Sequence, residues 1–180
     1  MGRFIISVVV TGKERDDLLK LCEEIEENSG KRKDKWGKAK YQRRLDYIKL
    51  VLSNKHFKEK LRYSVYCDQP AYDLATITGI AKAVHFKEPD EYTTLIYVDG
   101  LSKNKRQEYG SELRKLGVHT RKVQGVNKDE NNALIRLADA VAGFVRDVID
   151  GEKGEIQELF LNQNTSHLDA RMNGSRKNFP

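Results

Sequence analysis

The C-terminal half of the chain alternates strand-like and helix-like segments, and this order constrains the fold more than any other feature. A strand–helix–strand–helix order predicts parallel strands joined by right-handed crossover helices. We therefore predict an α/β fold whose ligands bind beyond the carboxyl ends of the strands. In chain order, the segments are the strand-like run 93–99, a helix over 102–116, the strand-like run 118–126 and a helix over 129–149.

The N-terminal half predicts two further strands and three further helices. The strand at 62–67 alternates apolar and polar residues, which indicates one wetter face, whereas residues 93–98 are apolar enough for a central strand. A short helix over 155–161 precedes a polar tail, so we predict one domain over 1–161 and a mobile tail over 162–180. The remaining predicted elements are strand 4–11 and helices 16–27, 41–52 and 71–86.

Charge and cysteine content narrow the class of protein. The 180 residues carry a formal net charge of +6, which favours an anionic partner, with nucleic acid ahead of a membrane; the alternative is a protein that is merely basic. The two cysteines lack metal-ligand spacing, which suits the reducing cytoplasm. No apolar run reaches the ~20 residues of a membrane span, and the first residues do not resemble a signal peptide.

Two aspartates stand in apolar surroundings. Asp99 follows the most apolar strand, and Asp139 lies within an apolar helix. Burying a carboxylate costs several kcal/mol unless it is paired, so the two together predict a site for Mg²⁺ or Mn²⁺ and catalysis at Asp99 and Asp139. The alternatives are a turn at Asp99 before a glycine, and an ion pair of Asp139 with Arg136 or Arg146.

Acidic residues also stand at the start of the last long helix. Asp129 and Glu130 suit the positive end of a helix, and capping is the favoured interpretation. Glu130 as an additional metal ligand is the less favoured one.

A basic segment over residues 31–44 interleaves cations with aromatic residues. Cations neutralise phosphates and aromatic rings stack on bases, so this segment predicts contact with nucleic acid. The alternative is a solvated loop that Trp36 anchors to the core. The predicted nucleic-acid-binding residues are Lys33, Lys35, Trp36, Lys38, Lys40 and Arg43.

Several of these motifs resemble the domain-of-unknown-function-3800 family. They are LADAVAG within NNALIRLADAVAG, IYVDG at 96–100, the Lys35–Trp36 pair before a helix, and the opening FIISVVVTG. The resemblance covers roughly residues 4–149. It implies a ribonuclease H-like mixed sheet flanked by helices, a metal-dependent nuclease activity, and Asp99 and Asp139 as the second and last acidic residues of the site.

One departure from the family pattern bears on activity. Family members usually begin with a strand that ends in Asp-Glu-Ser-Gly and supplies the first acid, and this sequence starts after that point. Either the sequence is truncated or this member is degenerate; without that strand, we expect the sheet to lose its middle and the metal site to lose one ligand. Two hypotheses remain: a phosphodiesterase with two Mg²⁺ or Mn²⁺ ions, or an inactive domain that binds DNA, RNA, a protein partner or a second copy.

Overall fold

The computed structural model describes residues 3–67, 71–86, 90–127, 132–151, 153–162 and 168–169. This part of the chain forms a mixed α/β fold, which confirms the predicted class at that level. The strands are β1 (Arg3–Val9), β2 (Leu61–Cys67), β3 (Thr94–Asp99), β4 (Thr120–Val126) and β5 (Leu168–Asp169). The helices are α1 (Arg15–Asn28), α2 (Tyr41–Ser53), α3 (Tyr72–His85), α4 (Lys103–Lys115), α5 (Ala133–Ile149) and α6 (Glu155–Asn162).

The described strands belong to two small sheets. In the first, β1 runs antiparallel to β2, with residues 3–9 opposite residues 67–61, and β5 runs parallel to the start of β2. In the second, β3 and β4 run parallel. The parallel pair confirms the strand order predicted for the C-terminal half. The two-residue β5 lies within the segment predicted as a tail, most of which falls outside the described residues.

Helices cover both faces of the strand layer. On one face, α3 packs against β1 and β2, and it shares an apolar cluster with β3, β4 and α4. An added Cβ at Gly79 would lie 2.7 Å from a methyl carbon of Ile6, so only glycine allows α3 this close to β1. On the other face, α5 packs against β1, β2 and β3. Each of these two helices therefore spans both sheets.

The largest core cluster lies between α5 and the helices α1, α2 and α6. Apolar residues recur every three to four positions along each helix and form one stripe that packs in this core, which is why these amphipathic sequences are helical here. The fully buried members include Tyr47, Ile48, Phe57, Leu137, Ala140, Val141, Phe144 and Ile156.

β2 and β3 form as predicted, but two predictions about what surrounds these strands are wrong. β2 has no wetter face, because α3 packs on one face of its sheet and α5 on the other; Ser64 is buried, and the Arg62 guanidinium lies 4.1 Å from the centroid of the Phe86 ring. β3 is not central: of the described strands only β4 pairs with it, and Leu95 and Tyr97 remain 52% and 37% exposed.

The start of α5 also differs from the prediction. Asn132 caps this helix, since its side-chain oxygen accepts hydrogen bonds from the backbone N–H groups of Leu134 and Ile135. Asp129 and Glu130, the predicted cap and candidate ligand, lie outside the described residues. None of the described helices has the length and apolar character that a bilayer crossing requires.

Candidate nucleic-acid interface

Trp36 fixes the basic segment to α5. Its side chain is 4% exposed, and its indole Nε1 donates to Asp147 Oδ2 at 2.6 Å. Its backbone N–H donates to Asp139 Oδ2 at 3.2 Å. Between these acids an added Cβ on Gly143 would lie 2.3 Å from the indole, so the ring rests directly on the helix backbone. Positions 139, 143 and 147 repeat every four residues and form one stripe of α5.

Arg44 closes the other side of this contact. Its Nη1 donates to the same Asp147 Oδ2 at 2.7 Å, in a pair whose side chains are both less than one-fifth exposed. The guanidinium also lies 5.6 Å from the centroid of the Trp36 ring and 5.8 Å from that of Tyr41. A cation over an aromatic face is attracted by its quadrupole, so one carboxylate and two rings hold this arginine.

A buried group of charges holds the start of the segment. Arg136 donates through Nε and Nη2 to the two carboxylate oxygens of Glu26, at 2.6 and 2.7 Å. Lys31 is fully buried beside this pair, with its Nζ 4.8 Å from the centroid of the Tyr47 ring. Within the described residues Nζ has no hydrogen-bond acceptor. Burial lowers the pKa of Lys31, and the charges of Glu26 and Asp139 oppose that shift.

These anchors leave the remaining cations facing solvent. Lys31 and Trp36 point inward, and the chain between and after them turns its charged side chains outward. A short 3-10 helix, Trp36–Lys38, sets the spacing of this surface. The predicted nucleic-acid-binding residues that are exposed are Lys33, Lys35, Lys38, Lys40 and Arg43. Trp36 is the exception, because its buried ring offers no face to a base; the geometry fits the anchoring interpretation instead.

The two candidate catalytic acids lie on different elements, Asp99 at the end of β3 and Asp139 on α5. Ile96 and Val98 contact the cluster beneath α3 and α4, so alternation along β3 directs Asp99 to the opposite face. α5, which carries Asp139, covers that face over β1. Asp99 is exposed and precedes a glycine with φ of 67°, as its turn-forming interpretation expects.

The acids present do not fit a metal centre by themselves. Within the described ranges, no three His, Cys, Asp or Glu side chains are grouped to hold an ion, and Glu130 is outside those ranges. Asp139 Oδ2 already accepts the Trp36 N–H, and the charge of Lys31 lies nearby. Arg136, one of the two arginines that could pair with Asp139, directs its Nε and Nη2 to Glu26.

Sequence reasoning missed three residues that build this surface. The sequence pattern shows Asp147 as one polar residue of a helix and Lys31 as one cation among several, and it gives no sign that Asp147 binds Trp36 or that Lys31 is buried. Glu26 could have been found, because it stands one turn after Cys22 on the buried side of α1, where an acid requires a partner.

Comparisons with family models, with curated proteins and with solved structures returned no match to this chain. The site is therefore defined by its own geometry.

Proposed function

We propose that this chain is a nucleic-acid-binding domain of ribonuclease H-like architecture that contacts the phosphate backbone through residues 31–44. One observation carries the proposal. Five exposed cations project from a segment whose other side is pinned by Trp36 and Lys31. Because the backbone that carries these cations is already anchored, it loses little conformational freedom when they meet phosphates, so the segment is suited to a polyanion.

The architecture part of the proposal has its own support. An antiparallel pair, a parallel pair and helices on both faces of the layer agree with the sheet that the family resemblance implies. The resemblance also makes nucleic acid the expected substrate class.

The salt dependence of binding tests the proposal. The variant has Lys33, Lys35, Lys38 and Lys40 replaced by glutamine. Its negative slope of log K against log salt should become less steep by about 0.7–0.9 for each phosphate that it no longer neutralises. The measurement is fluorescence anisotropy with single-stranded and duplex DNA and RNA. Replacing Lys13, Lys20, Lys55 and Lys58, which are also exposed, removes the same charge elsewhere and should leave the slope nearly unchanged.

Equal slopes for the two variants would show that the binding follows net charge alone, and the proposal would fail. Loss of binding only in the first variant would identify residues 31–44 as the interface.

Metal-dependent cleavage is the second candidate function, favoured by the family resemblance of the sequences around Asp99 and Asp139. Because two carboxylates carry only two negative charges, we expect cleavage with Mg²⁺ or Mn²⁺ to be weak or absent. The assay compares this chain with Asp99→Asn and Asp139→Asn, and asparagine can still accept the Trp36 N–H. Robust cleavage that both substitutions abolish would make the chain a nuclease; equal cleavage by all three would remove these acids from the reaction.

A further inference from the structure

Tyr41 is the exposed aromatic residue of the basic segment. Residues 31–44, all of which the structure describes, contain two aromatic side chains. Trp36 is 4% exposed and lies against α5, whereas Tyr41 is 39% exposed. Tyr41 is also the first residue of α2, and its neighbours Lys40 and Gln42 are exposed as well. The ring is therefore accessible to a ligand that the cations of this segment bind.

Arg44 supports one face of the Tyr41 ring. Its guanidinium lies over that ring, 5.8 Å from the centroid, and 5.6 Å from the centroid of the Trp36 ring. Asp147 on α5 accepts a hydrogen bond from the same guanidinium at 2.7 Å. Because α5 holds the arginine, the arginine in turn gives the Tyr41 ring a fixed support, and little side-chain freedom remains to be lost on binding.

The hydroxyl end of Tyr41 lies beside the turn that precedes α6. A Cβ added to Gly154 would be 3.8 Å from the Tyr41 hydroxyl oxygen. With Arg44 over one face and this turn at the tip, the exposed part of the side chain is the remaining face and its edges. An aromatic ring that is supported on one face and open on the other is the arrangement on which a nucleic-acid base stacks.

Exposed cations lie near both ends of this ring. Lys40 and Arg43 are within one turn of Tyr41 along α2, and Lys153 stands next to Gly154, beside the hydroxyl end. A strand whose base stacks on Tyr41 therefore meets positive charge on either side of that base, where its neighbouring phosphates can be neutralised.

We propose that Tyr41 stacks on an unpaired base, which makes single-stranded nucleic acid the ligand of residues 31–44. In a duplex each base is covered by its neighbours, and reaching one costs unstacking and unpairing energy. Every base has a flat face, so the contact tolerates any sequence. The preference rests on the proposed function, since the cations must first bind the backbone, and it adds the form of nucleic acid that the segment selects.

Fluorescence anisotropy with three labelled ligands of equal length tests this preference. They are an oligothymidylate strand, the same sugar–phosphate backbone with abasic sites throughout, and a DNA duplex. The abasic strand keeps the phosphates and lacks the bases. The chain should bind oligothymidylate at least about fivefold more tightly than the abasic strand, which is the lower end of the affinity that one stacked base contributes.

The variants assign the preference to the ring. Tyr41→Ala should abolish the difference between oligothymidylate and the abasic strand, leave duplex affinity unchanged, and leave the salt slope unchanged, because the ring carries no charge. Tyr41→Phe keeps a flat face and should retain the difference. The matched control is Tyr72→Ala, because Tyr72 is also exposed and is also the first residue of a helix.

Each result has one meaning. Equal affinity for oligothymidylate and the abasic strand overturns the stacking role while the phosphate contacts of the proposed function stand. Equal losses for single strand and duplex in Tyr41→Ala also overturn it, since the ring would then only support the surface. Absence of binding to all three ligands contradicts the proposed function itself, and the preference with it.

Discussion

The indole ring of Trp36 lies where a side chain at position 143 would have to be. Glycine is the only residue type that permits this contact, since even one carbon added to Gly143 would come within 2.3 Å of the ring. One turn before the glycine, Asp139 accepts a hydrogen bond from the Trp36 backbone N–H, and one turn after it, Asp147 accepts one from the indole N–H. Gly143 stands in the middle of α5, where no chain reversal requires a glycine; the close packing of Trp36, from a distant segment of the sequence, explains it.

Gly143→Ala should release Trp36 from α5. Overpacking costs about 1–3 kcal/mol, and the better helix propensity of alanine offsets up to about 1 kcal/mol of that. Trp36 is the single tryptophan, so its emission should move to longer wavelength as the ring meets water. The control is Gly37→Ala, where an added Cβ meets nothing within 4 Å. Unchanged emission in Gly143→Ala would contradict this packing.

Asp147→Ala should weaken the same anchor by a different route. The substitution removes the acceptor of both the Trp36 indole and Arg44, and a polar group left unsatisfied costs about 1–3 kcal/mol. Urea unfolding measures the change, with the exposed Glu24→Ala as the control. Asp147→Asn retains one acceptor oxygen and should lose less. Equal stability of all three variants would show that these hydrogen bonds contribute nothing net.

The buried pair of Glu26 and Arg136 should show strong coupling. Their side chains are 3% and 4% exposed, so removing either partner leaves a buried charge and costs about 3–5 kcal/mol. The double variant Glu26→Leu with Arg136→Met should recover much of that loss, because two apolar side chains need no partner. A double-mutant cycle in urea measures the coupling, and additive single effects would refute it.

The thiol of Cys22 should lower stability at alkaline pH. Burial, with help from the charge of Glu26, raises the pKa of Cys22 from 9.0 to about 12. The unfolded chain then releases this proton at lower pH than the folded chain does. The free energy of unfolding should therefore fall as pH rises from about 9 towards 12. Comparison with Cys22→Ala isolates this part of the pH dependence, and parallel curves for the two proteins would contradict it.

Thiol labelling offers a direct check on the same burial. Cys67 is exposed and Cys22 is buried, so a thiol reagent should modify Cys67 first in the folded protein. Simultaneous labelling would show that Cys22 is open to solvent.

Hydrophobic periodicity was enough to predict most elements of the fold. The predicted helix 16–27 is α1, Arg15–Asn28, and the predicted run 93–99 is β3, Thr94–Asp99. These patterns report which side of an element is buried, and that is a local property of the sequence. The parallel pairing of β3 with β4 followed from the order of elements.

Such patterns could not predict which strands pair or which distant residues are in contact. β3 is as apolar as a central strand, yet β4 is its single partner among the described strands, because a sequence reports how apolar a strand is and not which strands pair with it. Likewise, Asp139 in an apolar helix indicated an unusual partner, but Trp36 stands 103 positions earlier. The candidate site was thus predicted as a set of residues, and their roles depended on contacts that only the folded chain reveals.

The attachment of Trp36 to α5 also bears on the order of folding. The indole joins Asp147 across 111 positions of sequence, and closing so large a loop costs more entropy than forming α1 or α2. The anchor can form only after α5 has found the rest of the core. In stopped-flow refolding, Trp36 emission should thus follow the last cooperative step, while far-ultraviolet circular dichroism follows the helices that form earlier.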